Sequence, residues 1–363
     1  MSTTDVVIAG GGMIGAACAR SATRRGLKVV VCDHGPLPGA ATPASAGMLA
    51  AQIEPDDDAM LSLAVRARDL YDPLATELRD ATGIDIGLWR SGILSVAFDD
   101  ARANDLQAAV ARQRQAGLRC DWLTAGEIRQ GWPGVAVDCV GGLFAPEDGA
   151  LDPDALHRAL MADALAQGAE RRPVRVTALR REGARVIGVA TSGGDIAAPH
   201  VVIAAGAWAP QIAGLPNDLA VYPVRGQLAS MPWPAPAPRA IVFDRHCYAL
   251  ARGGEAILCS TMEHVGFDAS VTEDGLARLR QAAGRLLPWL ADRPFVRSWA
   301  GLRPIAPDGR PSVGPDAAVE GLWYATGHGR QGILLAALTG EIIGSLLSKE
   351  ETEIDWTPMR PRI

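Results

Sequence analysis

The chain of 363 residues carries 35 Lys and Arg against 41 Asp and Glu, a formal net charge of -6 with pI near 5.6, and 48% hydrophobic residues. That length suits about two domains with ample core, and an acidic balance without a basic run argues against nucleic acid as the main partner. The six cysteines form no CxxC and the six histidines no HxH or HExxH pattern, which speaks against a metal site and fits free thiols in a reducing compartment.

The N-terminus, MSTTDVVIAGGG, has neither a basic flank nor a long apolar core, so it reads as a first strand and not a signal peptide. No run approaching the roughly 20 apolar residues of a membrane span stands out, and the expectation is a cytoplasmic protein without a transmembrane segment. Val6 to Ala9 reads as a strand, followed by the turn Gly10-Gly11-Gly12-Met13-Ile14-Gly15, a helix stopping at Gly26, and a second strand, LKVVVCD, ending at Asp33. In this GxGxxG turn Gly10 permits the tight bend, Gly12 lets backbone approach a pyrophosphate, and Gly15 permits close helix packing. Asp33 stands 21 residues beyond Gly12, where a carboxylate accepts from a ribose diol. The unit predicts dinucleotide binding and leaves NAD and FAD open.

Next comes a Gly/Ala/Pro/Ser loop, GPLPGAATPASAGMLA, in which Thr42 and Ser45 offer hydroxyls. Small residues there suit backbone running along a flat ligand, or simply a surface loop. A helix is expected over about 58–82, stopped by Gly83 and kinked at Pro73. Short strands and a polar helix near 101–116 follow, and Asp152-Pro153 opens another helix running to Gly168. A strand meander then returns to a buried strand, VVIAAG. Strands dominate 221–300, with one helix from Thr272 to Leu287 and a proline-rich spacer at 232–238. The chain closes with the strand LWYAT, the turn GHGRQG and a long apolar helix.

Parallel βα elements at both ends and in the middle, with antiparallel runs between, predict an α/β fold. A discontinuous Rossmann-type domain (1–83, 140–220 and 301–363) would carry an inserted antiparallel-sheet substrate domain (84–139 and 221–300). Three site candidates follow from residue chemistry. Arg303, held between a strand end and Pro304, suits a bidentate carboxylate clamp or an interdomain salt bridge. Tyr248, after His246 and Cys247, reads as a ligand or a half-buried core aromatic, and His246 and His328 read by default as structural histidines. Arg330 sits beside a helix N-terminus that is already partly positive, so an anion is expected next to it.

Together, GGGMIG, AGMLA with Glu54 soon after, HCY at 246–248, WAGLRP at 299–304, DGRPSVG at 308–314 and ATGHGRQGILLAALTG at 325–340 resemble the FAD-dependent D-amino acid oxidase family. Within it the glycine oxidases are most similar, over nearly the whole chain. The resemblance implies non-covalent FAD held by Gly10, Gly12, Met13, Ile14, Gly15, Asp33, Ala41, Thr42, Ala46, Gly47, Met48, Val174, Gly206 and Gly301. His328, Gly329, Arg330, Gln331, Gly332, Ile333 and Leu334 would lie round the flavin. Arg303, Tyr248 and Arg330 would be the catalytic residues and bind substrate, with Met48, Glu54 and Met262 also lining its pocket.

The implied reaction passes hydride from the α-carbon of a small amino acid or secondary amine (glycine, sarcosine, D-alanine or D-proline type) to flavin N5. Dioxygen is then reduced to hydrogen peroxide. A dehydrogenase on the same fold, passing electrons to a quinone or a protein, and a non-catalytic flavoprotein are the alternatives; a homo-oligomer is compatible with each. The chain departs from the family at Gly329, where a bulky residue is usual, and at Gln331, where Asn is. It departs also in the loop GAATPAS and at Asp33, where Glu is more frequent. The change at Gly329 predicts an enlarged pocket.

Overall fold

The structure, a computed structural model, describes residues 4–55, 57–216, 219–233 and 241–362. One sheet of six strands runs in the order Ser312–Pro315, Leu322–Thr326, His200–Ile203, Val6–Ala9, Val29–Cys32, Glu170–Arg172. Its pairs are parallel except for Ser312–Pro315, which lies antiparallel at the edge. Period-two alternation sends the two faces of the central strand to different cores. Val6 and Ile8 pack among helices, whereas Val7 and Ala9 pack beneath a three-stranded meander formed by Val176–Glu182, Arg185–Thr191 and Gly194–Ala197.

The helices on the first face are Met13–Arg24, Pro153–Ala166 and the closing helix Gly332–Leu347. A Cβ at Gly340 would lie 2.7 Å from the Ala17 carbonyl oxygen, so glycine there is what lets the first and last helices approach closely. Contrary to expectation, the segment Gly329–Leu347 is long and apolar enough, by length and composition, to cross a bilayer. It is instead largely buried against Met13–Arg24 and Asp58–Asp69. Leu335, Leu338 and Ile343 are fully inaccessible, each contributing about 2 kcal/mol by burial.

The second sheet has eight strands, in the order Arg297–Ile305, Tyr222–Pro232, Glu255–Cys259, Tyr248–Arg252, Ile241–Phe243, Ile93–Ala97, Gly141–Ala145, Asp121–Thr124. All pairs are antiparallel except Ile241–Phe243 with Ile93–Ala97. Sheet membership shifts two expected domain boundaries. Gly141–Ala145 pairs with Ile93–Ala97, and Arg297–Ile305 with Tyr222–Pro232, so both belong wholly to the second sheet and the divisions fall beyond 140 and 301.

The helix expected over 58–82 is two, Asp58–Asp69 and Tyr71–Thr82, separated at Leu70. Pro73 does not kink a helix; it occupies the first turn of the second one, where its missing N–H costs nothing. The proline-rich spacer lies outside the described residues from 234 onward.

Candidate active site

The glycine turn is built by exclusion of side chains. Gly10 has φ +109°, and a Cβ there would overlap the Ala204 backbone, while one at Gly15 would overlap the Gly10 carbonyl oxygen. Asp33 fixes the turn from the neighbouring strand, accepting from the Gly11 amide at Oδ2 and from the Gly35 amide at Oδ1, 2.7 Å away. The Gly11 carbonyl accepts from His157 Nε2 at 2.7 Å, so Gly11 is held at both its amide and its carbonyl. The Met13 amide donates to Thr42 Oγ1 at 2.9 Å, tying the turn to the loop after the second strand.

That loop is ordered rather than loose. Ala41–Ala44 forms a helical turn, the Ala44 carbonyl accepts from Trp299 Nε1 at 3.1 Å, and Arg252 donates to the carbonyls of Ala46 and Leu151. A continuous cleft of about 420 Å³ runs from Gly10–Ile14 along Thr42–Ala46 to Tyr248, Arg303 and Gly329.

Arg303 closes the far end. The strand Arg297–Ile305 carries it at the edge of the eight-stranded sheet, and Gly226 on the paired strand makes room, since a Cβ there would overlap its guanidinium. The guanidinium donates to Ser260 Oγ, to the Thr261 carbonyl at 3.1 Å and to Met262 Sδ at 3.4 Å. The segment bearing these acceptors is anchored by Arg225, buried and bonded to Glu263 and Asp268 at 2.6 Å each. Arg303 has no carboxylate partner among the described residues, so the interdomain salt bridge does not form there. Burial, and then nearby Arg330, lower its pKa from the ordinary arginine value. A cation so placed is short of an anion.

Arg330 has its anion already. In the 3₁₀ turn Gly329–Gln331 it donates to Glu54 Oε1 at 2.6 Å, and Glu54 is the main cause of its raised pKa. Tyr248 stacks at 6.2 Å on Phe243, and burial, then the Cys259 thiol, push its phenol well above the usual value, leaving it a hydrogen-bond donor. His328 is buried, with Nε2 at 2.9 Å from Thr339 Oγ1 and Nδ1 without a partner among the described residues; burial drives its pKa down to about 3.

A family profile described as FAD dependent oxidoreductase matches residues 5–346. The chain belongs to this family. The glycine oxidase of Geobacillus kaustophilus is 36% identical over 360 residues, covering 98% of this chain and 95% of that protein. The bifunctional protein ThiO/ThiG of Trichormus variabilis is 36% identical over 97% of this chain, which spans 54% of that longer protein. The crystal structure of glycine oxidase from Geobacillus kaustophilus superimposes with a TM-score of 0.93 at 35% identity, covering 100% of both chains.

The cleft of this oxidoreductase fits FAD. The helix Met13–Arg24 begins without a side-chain cap beside the glycine turn, which suits an anionic pyrophosphate. At the other end the closing helix also starts without a cap or an acidic first turn, and its first residues, Gly332 and Ile333, line the cleft. Val174 and Gly206 line the cleft as well, as do Ala41, Ala46, Met48 and Gly301.

Five expected site residues fall outside the walls of the oxidoreductase's cleft. Gly15 lies under the turn, Gly47 packs on Leu151, Leu334 is in the helical core, and Gln331 is not among the cleft's lining residues, its backbone amide being bonded to the His328 carbonyl. Met262 touches Arg303 but is 47% exposed and lines a neighbouring cavity. Sequence reasoning missed Ser260, Gly226 and His157. Glycine inside the apolar strand Tyr222–Pro232 was a usable sign of close approach; the lone histidine of an amphipathic helix carried none.

Proposed function

We propose that this oxidoreductase oxidises the carbon–nitrogen bond of a small amino acid or secondary amine of the glycine, sarcosine, D-alanine or D-proline type, with dioxygen as final acceptor and hydrogen peroxide as product. The observation that carries this reading is Arg303, a half-buried guanidinium with no carboxylate partner among the described residues, at the end of the FAD cleft. The substrate carboxylate supplies the missing charge, as a bidentate acceptor from the face of Arg303 not engaged by Thr261 and Ser260. Tyr248 donates its phenolic proton to the same carboxylate. The pairing of Arg330 with Glu54 leaves one spare positive charge in the pocket, matched to one carboxylate.

Bound FAD supplies the two-electron acceptor. The chain aims the α-carbon of the substrate at it, and the uncapped amides at Gly332 and Ile333 favour negative charge there. Removal of hydride and a proton gives an imine, which water hydrolyses to an oxo acid and ammonia or an amine.

The relatives named glycine oxidase support the substrate class. Gly329 supports a substrate bulkier than glycine: it lines the cleft, and a Cβ there would meet only Ile305 Cγ1, at 3.7 Å. The test is anaerobic mixing of the flavoprotein with glycine, sarcosine, D-alanine and D-proline. Bleaching by at least one, with peroxide formed under air, is expected. Failure of every amine to bleach the flavin sinks the reading, and bleaching without peroxide reassigns the acceptor.

A further inference from the structure

A second cavity, of about 480 Å³, adjoins the first and shares Tyr248, Ser260 and Arg330 with it as a common wall. Its other walls come from the turn Asp244–Cys247, from Met262 and Glu263, and from the helix Glu273–Leu286. Four arginines line it (Arg245, Arg278, Arg285 and Arg330), against two carboxylates, Asp244 and Glu263.

Three of these arginines are occupied. Arg245 pairs with Asp105, Arg278 with Glu263 and Arg330 with Glu54. Asp244 spends Oδ1 on the amides of His246 and Cys247, at 2.7 Å each. Arg285 is different. Its guanidinium rests over the Phe98 ring, 4.8 Å from the centroid, and has no carboxylate partner among the described residues. The ring orients the cation without neutralising it.

We propose that this second cavity is a substrate subsite for a further anionic group, with Arg285 as its recognition residue. The substrates would be amino acids or secondary amines bearing a second carboxylate, or another anion, on the side chain or on the nitrogen. This rests on the reading that Arg303 takes the first carboxylate. Glycine and sarcosine fill only the first cavity; a longer substrate passes Arg330 and sets its second charge near Arg285.

The experiment uses the FAD-loaded protein and reads the perturbation of flavin absorbance by non-oxidisable ligands. Succinate, glutarate and adipate are compared with acetate and butyrate. At low salt the best dicarboxylate is expected to bind about tenfold more tightly than the monocarboxylates, a preference that shrinks as salt is added. Arg285→Gln should abolish the preference and leave acetate binding unchanged, and Arg285→Lys should restore most of it. Turnover provides a second readout: iminodiacetate should have a lower KM than sarcosine, and Arg285→Gln should raise only the former.

Equal binding of mono- and dicarboxylates, or equal weakening of both by Arg285→Gln, overturns the subsite. The oxidase reading fails separately, if no amine bleaches the flavin. A dicarboxylate preference that depends on Arg285 supports the subsite even then.

Discussion

Arg330 donates to Glu54 across 276 positions of sequence, at 2.6 Å, so the anion demanded by a cation beside a helix start comes from the protein itself. The Glu54 side chain is only 9% exposed and that of Arg330 is 40%, so the pair is partly screened by solvent. Glu54→Gln leaves Arg330 as a second uncompensated cation in the pocket. Acetate and other simple carboxylates should then bind roughly threefold more tightly, as read by titration of the flavin spectrum. Weaker binding would place Glu54 among the groups that attract the ligand.

Arg303 is the residue whose loss should be felt most. If Arg303 clamps the substrate carboxylate as proposed, Arg303→Ala should lower kcat/KM by about a hundredfold or more while the protein purifies with its flavin. Gly226→Ala disturbs the same guanidinium from behind. A rise in KM of about tenfold with unchanged FAD content is expected of it, smaller than the loss on removing the charge.

At the other end of the cleft, Asp33→Asn replaces a charged acceptor of two backbone amides by a neutral one. The turn should hold FAD about tenfold less tightly. Fluorescence titration of apoprotein with FAD reads this directly, and an unchanged dissociation constant would show that Asp33 does not matter for the cofactor.

His328 makes an acid limb in the stability profile. Its folded pKa of about 3 lies below the ordinary value of 6.5, so the unfolded chain binds the extra proton first. Stability is therefore intact above about pH 6.5 and falls by about 1.4 kcal/mol per pH unit below it, until the folded pKa is reached. His328→Gln should be less stable at neutral pH, having lost the fit to Thr339, yet show a flatter decline of Tm between neutral and mildly acidic pH. An equally steep decline would assign the acid limb to other groups.

The elements legible in the sequence were those fixed by neighbours along the chain. The glycine turn with its following helix, the Asp152-Pro153 helix start and the helix beginning at Thr272 are local signals, and each element stands where its signal is. The pairing of Gly141–Ala145 with Ile93–Ala97, across the division expected at 140, is set by packing that no local pattern encodes. The break at Leu70 was missed for a similar reason, since the apolar period continues through it. The candidate site was legible as residue types and not as pairs. Arg303, Tyr248 and Arg330 could be nominated from their settings, but the division of labour between a clamped Arg330 and an open Arg303 depends on Glu54 and Ser260 arriving from other segments.

The strand Arg297–Ile305 pairs along its length with Tyr222–Pro232 on one side. On the other, its Leu302 amide donates to the Gly39 carbonyl at 2.8 Å, Trp299 bonds to Ala44, and Ile305 bridges to His328. The strand is thus a rivet through both halves of the molecule. Any shear of one sheet past the other would drag Arg303 with it and break backbone bonds on the cofactor side. A hinge motion between the two sheets would therefore have to break these bonds or carry Arg303 along with the cofactor side, so substrate position and cofactor position are tied through one strand.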